Sequence, residues 1–268
     1  MRDGFAIFDT HTHIGTARHS GRRCDAAGLL RSMDRHGVDQ AVAIPFPVVD
    51  DYRAAHDEIG AAVRAYPDRL AGAACLYPFV PEPVFRDEVR RCREKYGFIA
   101  LKLQPQYQAL NPLSPRSAFV FETALENGLA LIWHTGSGVP YALPSLLMPP
   151  ARQHPGLNIV LAHCGGGMFF QEAIVAASFC PNICLELSTL TPHQAEEVAG
   201  AVPCHRLMIG SDLPENMEAE IGKILGMDLD VERKSWILAG TARHVFGSAI
   251  QIVENALGDG EATDGKKA

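Results

Sequence analysis

The sequence lacks any apolar run near the roughly 20 residues that a membrane-spanning helix needs. Its first residues also lack the basic, apolar, small-residue order of a secretory signal, so the expectation is a cytoplasmic protein. No Cys-x-x-Cys pair occurs. The seven cysteines (Cys24, Cys75, Cys92, Cys164, Cys180, Cys184 and Cys204) are odd in number and scattered, and "CPNIC" at 180–184 has no second half. A disulfide framework and a cysteine zinc site are therefore set aside in favour of free, mostly buried thiols. A basic stripe is missing as well. Lys and Arg number 24 against 31 Asp and Glu, a net charge of −7, and the run Arg86 to Lys95 is broken by Asp87, Glu88 and Glu94. That run reads as a solvated helix face, and nucleic acid and anionic membrane are excluded as partners. There is no Gly-x-Ser-x-Gly elbow. "HTGSGVP" and "HCGGGMFF" come nearest to a nucleophile turn and a phosphate cradle, but the second has no following Lys-Ser/Thr and reads as a tight turn.

What is present is a repeating beat. Short apolar runs rich in β-branched residues are each followed by turn residues and an amphipathic stretch, the pattern of βα units. Eight occur: "FAIFDTHTH" (5–13), "VDQAVAI" (38–44), "LAGAACL" (70–76), "FIALKLQ" (98–104), "LALIWH" (129–134), "LNIVLAH" (157–163), "NICLELS" (182–188) and "RLMIGSD" (206–212). Between them Asp25 reads as an N-cap and Gly37 as a helix stop, and "PEPVFRDEVRRCREKYG" carries Pro83 in its first turn and Gly97 at its end. Several of the strands are apolar on both faces, as a parallel sheet covered by helices requires. Eight units match a single (β/α)8 TIM barrel over residues 1–257, with the polar stretch 258–268 expected to be a disordered tail. A doubly wound open sheet is the alternative, but its Gly-rich first turn is replaced here by His-Thr-His.

Chemistry-bearing residues cluster at one position in the beat. His11 and His13 end the first strand, Lys102 lies near the end of the fourth, His134 ends the fifth, His163 the sixth and Asp212 the eighth. In a barrel all of these carboxyl ends converge on the face where active sites are built. Alternation puts His11 and His13 on one side of their strand, about 6.6 Å apart at roughly 3.3 Å per residue. Neutral imidazole and carboxylate suit a borderline ion such as Zn2+, and four His plus one Asp suffice for one open site or for two ions. The bland readings are a core histidine, an Asp capping the next turn, and a snorkelling lysine. They hold for His19, His36, His56, His154, His193, His205 and His244, which fall in helices or loops. Substrate contacts are expected from the loops 45–52, 77–83, 104–112, 136–145 and 213–218, which are short of cations, with Glu186 as an inward-facing polar contact. Alternation points Cys164 away from the pocket.

The stretches "FDTHTHIG", "ALKLQPQYQ", "LIWHTGSG", "VLAHCGGG", "MIGSDLP" and "GTARHVFG", in that order, resemble the amidohydrolase superfamily, and within it the amidohydrolase-2 branch, which also holds decarboxylases and lactonases. The resemblance implies a metal-dependent TIM barrel with His11, His13, His134 and Asp212 as ligands. His163 would be a second-metal ligand or a catalytic histidine, and Asp212 also the proton acceptor for the attacking water. It implies one divalent ion, Zn2+ by preference, or two bridged by a carbamylated Lys102. The implied activity is hydrolysis of a small-molecule ester, lactone or amide. Non-oxidative decarboxylation is the alternative, and a non-catalytic ligand-binding barrel a third reading. A homo-oligomer is left open.

Overall fold

In a computed structural model that describes residues 1–247, the eight expected strands form one sheet. They are β1 (Phe8–Thr16), β3 (Gln40–Pro45), β4 (Leu70–Ala74), β5 (Ala100–Leu103), β6 (Ala130–His134), β7 (Ile159–Ala162), β8 (Ile183–Glu186) and β9 (Leu207–Met208), and they pair in parallel in that order. A short β2 (Arg23–Cys24) adds antiparallel to the outer end of β1. The first and last parallel strands meet: Thr12 bridges Asp212, and the Thr10 amide donates to the Ile209 carbonyl at 3.0 Å. The sheet is thus a closed eight-stranded α/β barrel. The 257 boundary and the tail 258–268 lie outside the described residues.

Helix punctuation follows the sequence. Asp25 caps the helix Ala26–His36 by accepting from the Gly28 amide, and Gly37 ends it at φ +70°. The helix Glu82–Tyr96 has Pro83 in its first turn and ends on Gly97 at φ +68°. Its basic run is not simply solvated. Arg86 pairs with Glu82, Glu122 and Glu126, and Arg91 with Asp57 and Glu88, so these cations tie neighbouring helices together. All seven cysteines are free, six of them buried. Among the described residues no helix is long and apolar enough to cross a membrane.

One buried polar knot outside the barrel interior supports a stability prediction. His56, from the helix Tyr52–Ala65, donates through Nδ1 to Glu88 Oε1 at 2.8 Å and accepts from the Cys75 amide at 3.0 Å, while Arg91 grips Glu88 with two N–H groups. Burial alone would raise the Glu88 pKa, but the hydrogen bonds from His56 and Arg91 outweigh it and bring it from 4.5 to about 2. A depressed carboxylate stabilises the fold fully above its unfolded pKa and loses that contribution as pH falls through its folded one. Glu88→Gln is therefore expected to cost about 3 kcal/mol at pH 7. Urea unfolding should show that difference shrinking between pH 4.5 and pH 2.

Candidate metal centre

The carboxyl ends of the strands bring the candidate ligands together. His11 Nε2 lies 3.2 Å from His13 Nε2, and Asp212 Oδ1 lies 3.4 Å from the first and 3.6 Å from the second. His163 Nε2 is 4.0 Å from the same oxygen. His134 stands one ring further out, its centroid 4.8 Å from that of His163. Two of these residues hold unusual backbone: His163 has φ +65° and Asp212 φ +62°, conformations that cost a side-chain-bearing residue about 1–3 kcal/mol and concentrate at functional sites.

Hydrogen bonds decide which ring nitrogens carry protons. His13 Nδ1 faces the Pro45 carbonyl at 3.1 Å and His134 Nε2 the Ser137 carbonyl at 2.9 Å; a carbonyl only accepts, so both nitrogens are N–H. His11 Nδ1 donates to Glu186 Oε2 at 3.1 Å. His163 Nδ1 donates to Ser188 Oγ at 2.7 Å, because that hydroxyl donates onward to Glu186. The remaining nitrogens, Nε2 of His11, His13 and His163 and Nδ1 of His134, present lone pairs, and His134 Nδ1 is buried without any partner. Burial first, then neighbouring positive charge, from Lys102 at His11, His13 and His134 and from His134 ahead of Lys102 at His163, hold the rings neutral; His13 and His134 are lowered to about 3.

His11 Nε2 also meets Lys102 Nζ at 2.7 Å, but His13 Nε2 and the Asp212 carboxylate face each other and His11 with no proton between them, and a cation there would relieve their repulsion. The spacings fit one. A tetrahedral ion with bonds of about 2.0–2.1 Å separates its ligands by about 3.3 Å. The donors, their protonation and the orphaned His134 nitrogen all suit a divalent metal, and the donor atoms of His11, His13 and Asp212 lie within 4.8 Å of one another.

Four polar residues beneath the donors, Glu186, Ser188, Asp9 and Ser211, position them. Glu186 is fully buried and accepts from the His11 ring, the His163 amide and Ser188. It faces inward as alternation implies, but it contacts the histidines rather than a substrate. Gly210 makes this approach possible, since a Cβ there would fall 2.7 Å from the Glu186 carboxyl carbon and 2.9 Å from His11 Cβ. Asp9 accepts from Ser211 Oγ at 2.5 Å and from the His11 amide at 3.1 Å, tying the two ligand-bearing strands; burial raises its pKa to about 6. Asp9, Ser188 and Ser211 carried no signal in the sequence beyond lying near a strand end.

Lys102 does not snorkel. It is fully buried, with Nζ 2.7 Å from His11 Nε2, and burial pushes its pKa down. Among the described residues no carboxylate pairs directly with it. Cys164 packs into the core, away from the site.

The family model described as Amidohydrolase matches residues 8–248 of this chain. The chain belongs to the amidohydrolase family. Solved structures agree on the fold of this amidohydrolase. The 4-oxalomesaconate hydratase of Rhodopseudomonas palustris superposes with a TM-score of 0.68 at 19% identity, over 90% of this chain and 95% of its own. A probable 2-pyrone-4,6-dicarboxylic acid hydrolase of Acinetobacter baumannii, with citric acid bound, gives 0.67 at 16%, over 90% and 99%. The 5-carboxyvanillate decarboxylase of Novosphingobium aromaticivorans, complexed with manganese and 4-hydroxy-3-methoxy-5-nitrobenzoic acid, gives 0.73 at 15%, over 91% and 96%. No curated protein matches by sequence. The fold thus serves a hydratase, a probable hydrolase and a decarboxylase among similar structures. This chain belongs to a metal-dependent family and carries candidate metal-binding groups.

A cavity of about 610 Å3 opens above the donors, with His134, His163 and Asp212 on its floor. Of the five loops expected to contact substrate, only 104–112 and 136–145 line it. The other wall is Gly165 to Phe169, the segment read from sequence as a tight turn. Its glycines are turn residues, but they also let two loops touch: a Cβ on Gly136, at φ +103°, would meet the Gly165 backbone at 3.0 Å.

Proposed function

We propose that this amidohydrolase cleaves an ester, lactone or amide bond of a small molecule with water, using a divalent metal held by His11, His13 and Asp212 with His134 and His163 alongside. The observation that carries the reading is the meeting of three proton-free ring nitrogens, Nε2 of His11, His13 and His163, around the cavity-facing Asp212 carboxylate, with the His134 ring beside His163. A divalent ion at such donors lowers the pKa of water from about 15.7 toward 7 and polarises a carbonyl oxygen.

The chain's own groups supply the proton handling. Asp212 has 30% of its side chain exposed while its neighbours His11 and His13 are almost fully covered, so it is the donor that meets water in the cavity. Burial raises its pKa, which makes it a stronger base toward the attacking water. His163, with Nδ1–H fixed on Ser188, offers Nε2 beside Asp212 and can accept that proton and return it to the leaving oxygen or nitrogen. Lys102 and Glu186 set the charge and orientation of His11 from below. Lys102 points inward to the donors, where a carbamate on its Nζ would be placed to hold a second ion, the alternative to a single one.

The test is a panel of aryl esters, γ- and δ-lactones and anilides, run with metal-loaded protein beside a set of hydroxybenzoic acids. Hydrolysis that falls at least 100-fold after chelation is expected, and returns when Zn2+ or Mn2+ is restored. Carbon dioxide release from the acids with no hydrolysis anywhere would replace this reading with decarboxylation.

A further inference from the structure

The cavity above the histidines has a character that metal chemistry does not require: its walls are neutral. Among the described residues no lysine or arginine lines it, and Asp212 is its one carboxylate. The nearby cations are engaged elsewhere. Arg22 pairs with Glu215, and Lys102 is buried against His11. Val139 and Met168 meet the cavity with large exposed apolar side chains, 56% and 82% accessible. Beside them stand amides and a phenol rather than ions.

Gln104 is the informative residue. It follows β5 and also lines the cavity. Its backbone is pinned, because its amide donates to Gln108 Oε1 at 2.7 Å and Gln108 in turn donates to the Leu76 carbonyl at 3.1 Å. The side chain is not pinned. Gln104 is 8% exposed, yet its Oε1 is buried with no hydrogen-bond partner. A buried amide oxygen is costly to leave unpaired. A substrate carbonyl only accepts, so the amide serves it with its NH2 turned to this position, a neutral donor on a residue that lines the cavity.

Building on the hydrolase reading, we infer that this site takes a substrate with no charge beyond the group held at the metal, oriented by a hydrogen bond to Gln104 and by apolar contact with Val139 and Met168. A second carboxylate on the substrate would lose its hydration in a cavity that offers no cation to replace it and that already holds Asp212. Di- and tricarboxylic acids are therefore disfavoured here, and neutral aryl or alkyl esters and lactones are favoured.

Isothermal titration of the manganese-loaded full chain with isophthalate and with 3-acetylbenzoate tests this without turnover, since the second replaces one carboxylate by a methyl ketone of similar shape. 3-Acetylbenzoate is expected to bind at least tenfold more tightly. Gln104→Leu should weaken its binding about tenfold at unchanged metal content, and Gln104→Arg should reverse the preference toward isophthalate. Equal or tighter binding of isophthalate by the wild type, binding of neither compound, or an indifferent Gln104→Leu variant overturns the inference. Failure of the hydrolase reading is seen separately, as an absence of hydrolysis in the ester and lactone panel while the binding preference stands.

Discussion

Replacing His11 or His13 by alanine is expected to yield a folded protein that carries less than a tenth of the wild-type metal and hydrolyses nothing measurable. Both rings turn proton-free nitrogens toward Asp212 and toward each other at 3.2 Å, so each removal takes a donor from the group that the two rings form with Asp212. Even the loss of a group that merely orients a ligand lowers metal affinity about 10- to 100-fold, and loss of the ligand itself should exceed that. The barrel should survive. Its core consists of strand and helix side chains such as Leu29, Phe85, Trp133 and Leu161, whereas the site occupies the rim. Elemental analysis with circular dichroism measures both halves of the prediction, and full metal occupancy in both variants would end the proposal. The same analysis on the wild type counts the ions: one per chain supports the preferred site, and two with a carbamate on Lys102 support the alternative.

Asp212→Asn keeps the shape of the side chain, and metal content measured on the same variant separates lost proton transfer from lost metal. Asn tolerates the left-handed backbone that Asp212 adopts at φ +62°, so the strand end should keep its geometry, and the amide fills nearly the same volume. It cannot take a proton from water. Loss of a positioned general base costs about 10²- to 10⁴-fold, and loss of its charge beside the histidines adds to that, so kcat should fall by at least about 10³-fold with a small change in KM. A variant within tenfold of the wild type would show that Asp212 is not the proton acceptor.

Much of this was legible in the sequence because the relevant signals are local. A strand buried on both faces needs a continuous apolar run, so "ALIWH" and "NIVLA" announce themselves, and Asp25 and Gly37 mark helix ends through bonds that span three or four residues. His11, His13, His134, His163 and Asp212 were readable as one set once eight beats were counted, since equal beats put their carboxyl ends on one face. Alternation also told that Glu186 faces inward and Cys164 does not.

What alternation cannot tell is what an inward side chain meets. Glu186 reaches His11 across 175 residues of sequence, and Asp9 reaches Ser211 across 202. Gly165 to Phe169 became a cavity wall only because Gly136 lets a second loop touch it. Lys102 pointed equally well to a snorkelling lysine or to a site residue until the barrel closed around it. Sequence by itself determined the eight βα units and the family, and it marked the histidines and Asp212 that meet at the strand ends, because periodicity and caps are written within a few residues. Tertiary structure alone decided the protonation of each imidazole, the partners beneath them and the neutrality of the cavity, because each depends on hydrogen bonds and contacts between strands far apart in the chain.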